Sequence, residues 1–233
     1  MPRKWIFIEF VSGDPWVLPI WTAYGNAESR ERIPAAGHAL KELGLQISTR
    51  LNLLPRVVAR LNASVQRLFE IARQDHTPDH LSTEECEGFA LRVPFDLLYD
   101  LLIDVDSFLF ELSSACELIE KFAGMMWEKM GEVPRDSAGR EIQRILSAAG
   151  QDTGWFVDLS NARNFFIHEG APFVAVDPSG AQYDLLVMRE NLRSFRDSTK
   201  YRRLSQLNQM AAGFQEAKSI IQQHFIRKLD SLG

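Results

Sequence analysis

Residues 163–168 read Arg-Asn-Phe-Phe-Ile-His, which places a guanidinium, an amide and an imidazole within six positions. An arginine is a permanent, fork-shaped cation suited to planar anions. A histidine, with an ordinary pKa of about 6.5, keeps acid and base forms both accessible near neutrality. Such a set can do proton-transfer chemistry beside an anion. The stretch from about Thr153 to His168 has helical character, and Gly170 and Pro172 are its stop signals. At roughly 100° per residue, Trp155, Leu159, Ala162 and Phe166 make an apolar stripe that Phe156 and Ile167 widen on one side. Arg163 falls between those two in angle, at the border of the stripe. Asn164 and His168, four apart, share the next sector. A guanidinium covered at such a border needs a partner. A histidine in a last helical turn is favoured when protonated, because it meets the carbonyl end of the dipole. The competing reading makes Arg163 a structural ion-pair residue and His168 an ordinary helix end.

The elements that must hold this segment are mostly helical. Leu40, Leu43, Ile47, Leu51 and Leu54, then Val58, Leu61, Val65, Leu68 and Ile71, predict a helix over residues 35–74 that Pro55 should kink or break. Residues 75–87 read as a loop with a helix start or short helix inside. Pro94 suits the first turn of a long helix to about Lys129, closed by Gly131 and Pro134. A shorter helix follows over 138–149, then the segment that carries Arg163 and His168. Residues 173–176 and 183–188, joined through Asp177-Pro178-Ser179-Gly180, predict a hairpin within 172–188. A final helix covers 198–232. Trp5 to Val11 reads as a strand and the remainder of 1–34, rich in glycine and proline, as irregular. A lone hairpin is marginal in water, so the N-terminal strand is expected to pair with it. The expectation is a single domain over 1–233 in the mainly α class: four long helices and one short one, with a small β appendage.

Arginine, four to six residues, then histidine, with asparagine directly after the arginine, at the end of a late helix in an all-helical chain, resembles the HEPN domain family. Here the pattern is Arg163, Asn164, three apolar residues and His168. The bundle extends the likeness over residues 35–232, and the hairpin lies outside the minimal bundle. The resemblance implies a HEPN-like helical bundle and a metal-independent endoribonuclease with no cofactor. It also implies a homodimer in which two motifs line one cleft. Carried over, His168 would activate the ribose 2′-hydroxyl or protonate the leaving oxygen. Arg163 would hold the scissile phosphate, and Asn164 would orient it. A toxin or defence role, with a protein inhibitor or antitoxin as partner, belongs to the same expectation. Some HEPN toxins carry a tyrosine two residues after the histidine that a partner modifies, whereas this chain has Gly170. A non-catalytic interaction or RNA-binding module is the alternative within the same resemblance.

Composition bounds these readings. A formal charge of −5 argues against coating nucleic acid through global charge, so RNA contact must be focused. Arg189, Arg193, Arg196, Lys200, Arg202 and Arg203 crowd the approach to the last helix, opposed nearby by Glu190 and Asp197, and are the candidate RNA-binding cluster. Arg56, Arg60 and Arg67 fall within about 40° on a helix and form a second basic stripe. A solvated basic face is the plainer reading of both. His76 and His80 have metal-like spacing near Glu84, Glu85 and Cys86, but Pro78 between them denies a shared helix face, so no metal site is expected. Asp96, Asp100 and Asp104 read as a polar helix face. Two cysteines without metal-finger spacing predict no disulfide framework and a cytoplasmic location. The apolar run after Met1 is broken by Glu9, which argues against a signal peptide, and charges interrupt every other apolar stretch, which argues against a membrane span.

Overall fold

The computed structural model describes residues 15–74, 79–82 and 87–232, and they form a mainly helical structure with two small antiparallel sheets. The strand expected over residues 5–11 lies outside them, as do His76, Glu84, Glu85 and Cys86. The first element is a correction. Val17–Ser29 is an α-helix (α1) where the glycines and prolines suggested irregular chain. Pro19 occupies the first turn, where no intrahelical acceptor awaits an N–H. Val17, Ile20, Ala23, Tyr24 and Ala27 bury one side. Both ends are tied down: the Trp16 indole N–H donates to the Lys218 carbonyl at 2.6 Å, and the Tyr24 hydroxyl to the Pro34 carbonyl at 2.7 Å.

The second helix, α2 (Gly37–Gln74), runs through Pro55 without a break. An interior proline costs about 3 kcal/mol, but burial of Leu51, Leu54, Leu61 and Val65 offsets it. Ion pairs to α3 (Phe95–Lys129) flank the proline. Arg50 meets both carboxylate oxygens of Glu111 at 2.9 and 3.0 Å, and Arg60 meets Asp104 at 2.6 Å. Asp104 is thus no part of a polar face, for its side chain is 3% exposed and the Ser64 hydroxyl also donates to it. Between α2 and α3, in place of the expected loop or short helix, β1 (Asp79–Ser82) pairs antiparallel with β2 (Glu87–Ala90).

Beyond α3 come α4 (Ala138–Ala148), capped by the Ser137 side chain, and α5 (Gly154–Asn164). The expected hairpin is present as β3 (Phe173–Asp177) and β4 (Asp184–Met188). Its third strand is β5 (Tyr201–Arg203), in register Leu186 with Arg203 and Met188 with Tyr201. Residues 198–203, expected as helix, therefore form a 3-10 turn (Ser198–Lys200) and this strand, and the last helix, α6, is Leu204–Ser231. Leu185 to Met188 are all buried. That burial draws a neighbour onto each side of β4.

α5 is seated on α6 by a notch. A Cβ at Gly213 would stand 2.5 Å from Cδ1 of Trp155, so only glycine admits the indole. The Gln151 amide donates to the Gly213 carbonyl at 2.6 Å, just ahead of α5. Gly25, in the middle of α1, has nothing among the described residues within 4 Å of its Cβ position. The two glycines should respond oppositely to alanine. Gly213→Ala is expected to lower unfolding stability by about 2 kcal/mol through overpacking. Gly25→Ala should raise it by roughly 0.5–1 kcal/mol. Urea unfolding followed by tryptophan fluorescence and circular dichroism measures both.

Candidate functional site

Arg163 and Asn164 close α5, and the chain does not continue as α-helix. Residues Phe165–Glu169 form a π turn that ends at Gly170, with φ +66°. The wheel drawn at a constant angle therefore stops applying at 164. In an α-helix, residues five apart diverge by about 140°. A π turn closes i→i+5 and turns less per residue than an α-helix. Single π turns of this kind occur often at functional sites. Position 170 needs a residue tolerant of positive φ, which a tyrosine is not.

The stripe also shifts. Trp155, Leu159 and Ala162 are buried as expected, but Phe165 is the buried phenylalanine (2% exposed), while Phe166 is half-buried and Ile167 is 54% exposed. The reason lies in β5. The Arg202 guanidinium carbon sits 4.7 Å from the centre of the Phe165 ring, a cation–π contact that roofs it. Phe165 and Phe166 meet edge to face at 5.5 Å. Arg163 projects to the surface and its Nη1 donates to Glu117 of α3 at 2.9 Å, with the two side chains 38% and 56% exposed. An ion pair that open contributes little to stability, of the order of 0–1 kcal/mol, so a competing anion can displace it. Asn164 is exposed.

The basic cluster divides on inspection. Arg202 also donates to the carbonyls of Tyr201 and Thr199, at 2.8 and 3.2 Å, and so belongs to the motif's surroundings. Lys200 pairs with Glu190 at 3.1 Å. Arg203 is committed to Asp177 at 2.8 Å and Asp184 at 3.4 Å, and the Ser205 hydroxyl completes the Asp184 cluster at 2.8 Å. The Arg189 backbone N–H donates to the Lys200 carbonyl, which closes the β4–β5 end. Arg193 and Arg196 are exposed on a 3-10 turn (Asn191–Arg196). Arg203 therefore serves the fold, and Arg202 stands beside the motif. Sequence reading found neither Glu117 nor the Arg202–Phe165 contact, because each partner is remote in the chain. The neutralising role of Asp177 and Asp184 escaped it for the same reason.

Of the metal-spaced histidines, only His80 falls in a described segment, on β1, opposite Phe89. Among the described residues no three His, Cys, Asp or Glu side chains gather closely enough to share a metal ion, and no helix is long and apolar enough to cross a membrane. Cys116 is a buried free thiol whose pKa burial pushes up, so its reactive thiolate is suppressed.

The Asp177 carboxyl titrates low, at about 2, first because Ser179 hydrogen-bonds to it and then because Arg203 does. Its ordinary value is 3.8. Unfolded chain therefore takes up this proton before folded chain does, and the stabilisation, complete above pH ~4, is lost as pH falls toward 2. In acid titrations of stability, Asp177→Asn should be less stable than wild type at neutral pH and converge with it near pH 2. Compared with known proteins, the chain matches no family model, no curated protein and no solved structure.

Proposed function

We propose that the chain is a metal-independent endoribonuclease of the HEPN type, with Arg163, Asn164 and His168 as its catalytic residues. One observation carries this reading: Arg163, its side chain 38% exposed, and the exposed Asn164 stand at the point where α5 gives way to the π turn that contains His168. The 2′-hydroxyl of a ribose attacks its own 3′-phosphate, the 5′-oxygen of the next nucleotide leaves, and a 2′,3′-cyclic phosphate remains. His168 takes the hydroxyl proton or supplies one to the leaving oxygen. Arg163 exchanges Glu117 for the phosphate and stabilises the charge that develops on it. Asn164 orients the phosphate. Arg202, packed on Phe165, with Arg193 and Arg196 nearby in sequence, offers the focused positive charge that a chain of net charge −5 needs for RNA. On the HEPN resemblance the working form is a homodimer with paired motifs. A role as toxin or defence component, held by a protein inhibitor, fits the same reading.

A different observation favours a second reading, a non-catalytic interaction module. Arg163 already has a carboxylate partner in Glu117, which an ion pair of purely structural purpose also explains.

Cleavage separates the two. The full chain, incubated with single-stranded and structured RNA in EDTA, is expected to leave 2′,3′-cyclic phosphate ends. His168→Ala and Arg163→Ala should each reduce the rate at least ~100-fold with unchanged circular dichroism. Glu117→Gln, which releases Arg163, should tighten RNA binding severalfold. RNA left intact, or cut equally well by both alanine variants, would sink the enzyme reading.

A further inference from the structure

α6 carries an imidazole where its charged form has no place. At about 100° per residue, Ala217, Ile221, His224 and Lys228 fall within an arc of about 60° on that helix. Ala217 and Ile221 line a small cavity together with Gly139 and Ile142 of α4, so this is the side of α6 that α4 covers. His224 lies less than one turn beyond Ile221, half-buried, with its ring edge-on to Phe225 at 5.5 Å. Its Nε2 is buried and has no hydrogen-bond partner among the described residues. Such a nitrogen is tolerable while the imidazole is neutral, since one of the two ring nitrogens then carries no proton.

The charges around the ring oppose a proton as well. Lys228 and Arg227 stand on α6 itself, Glu132 follows α3, and Glu141 lies on α4. Both carboxylates are already engaged: Lys228 Nζ donates to Glu132 at 2.6 Å, and Arg144 donates to Glu141 at 2.8 Å. A proton added to His224 makes both ring nitrogens donors, one of them buried without an acceptor. It also sets a further cation beside Lys228 and Arg227. Burial first, and then Lys228, hold the pKa of this histidine below the ordinary 6.5.

We propose that His224 is an acid-sensitive latch, and that protonation of its imidazole releases α4 and residues 131–137 from α6. An imidazolium in this contact must gain an acceptor or reach water. Glu132 can serve only by leaving Lys228, and Glu141 only by leaving Arg144, so either exchange draws on the segment from Gly131 to Ile142. That segment is the part that gives way. α4 buries just two side chains, Ile142 and Leu146, and its connection to α3 turns at Gly131 with φ +72°. A segment with so little buried surface opens locally before the bundle does. The opened form takes up the proton near pH 6.5, ahead of the closed form, so closure is favoured above that value and weakens as pH falls below it. This window lies well above that of Asp177. Nothing in the latch depends on the ribonuclease reading.

Amide hydrogen exchange of the full chain at neutral pH and at about pH 5, corrected for the intrinsic exchange rate, tests it. Exchange from Gly131 to Ala148 should quicken about tenfold at the lower pH, the change that a pKa difference of about one unit gives, while the middle of α2 stays as it was. His224→Gln, which cannot take the proton, should abolish the change. Lys228→Met keeps the imidazole and frees Glu132 to accept from it. In that chain the His224 ring should titrate higher by NMR, and the segment should stay closed at both pH values. Equal exchange at both pH values in wild type overturns the proposal, and so does an undiminished pH effect in His224→Gln. A Lys228→Met chain that opens as wild type does overturns it too, even where the glutamine variant fails to fold.

Discussion

The entry of the Trp155 indole into the space left by Gly213 is the contact on which the arrangement around the motif depends. Trp155 lies in the first turn of α5, whose eleven residues carry Arg163 and Asn164 to fixed positions above α3. Trp155 also meets Phe156 in a tilted contact at 4.4 Å and Phe214 edge to face at 6.3 Å. Its indole N–H has no partner among the described residues, so the seat is held by shape and dispersion rather than by a hydrogen bond. Close packing of this sort fixes direction as well as position, because a helix pinned at its first turn can swing only if a buried ring leaves its socket.

The other end of α5 is held differently. Phe165 is clamped beneath Arg202, whose strand is held in turn by β4 and by the Arg203–Asp177–Asp184 cluster. Between these two anchors the α-helix turns to π and Gly170 reverses the chain. The motif thus lies where two packing demands meet: the indole at one end and the small sheet at the other. Arg163, outside both, reaches Glu117 in the open. A positioned cation with a weakly held counter-ion is the feature of this surface that matters for an anionic substrate, because little must be broken to exchange the partner.

Much of the helical frame was legible in the sequence. The bounds of α3 followed from Pro94 and Gly131, α4 was expected over 138–149, and the hairpin followed from Asp177-Pro178-Ser179-Gly180. Local signals failed where tertiary contact outweighed them. Pro19 and Gly25 spoke against α1, but its buried side and the two tied ends prevailed. Pro55 spoke against a continuous α2, but α3 holds both halves. Residues 201–203 resemble the start of a helix, but the unpaired edge of β4 took them as a strand.

The sequence by itself determined which residue types stand together at a helix end, Arg163, Asn164 and His168, because side-chain type and periodicity are local properties. Only the tertiary structure decided that Arg163 pairs with Glu117, that Phe165 rather than Phe166 is buried, that the helix ends in a π turn, and that Arg203 is consumed by Asp177 and Asp184. Each of these joins groups from 19 to 46 residues apart, or answers to a neighbour packed against the helix. A local pattern carries no record of which distant surface will cover it, and burial, more than propensity, chooses among the conformations that the pattern allows.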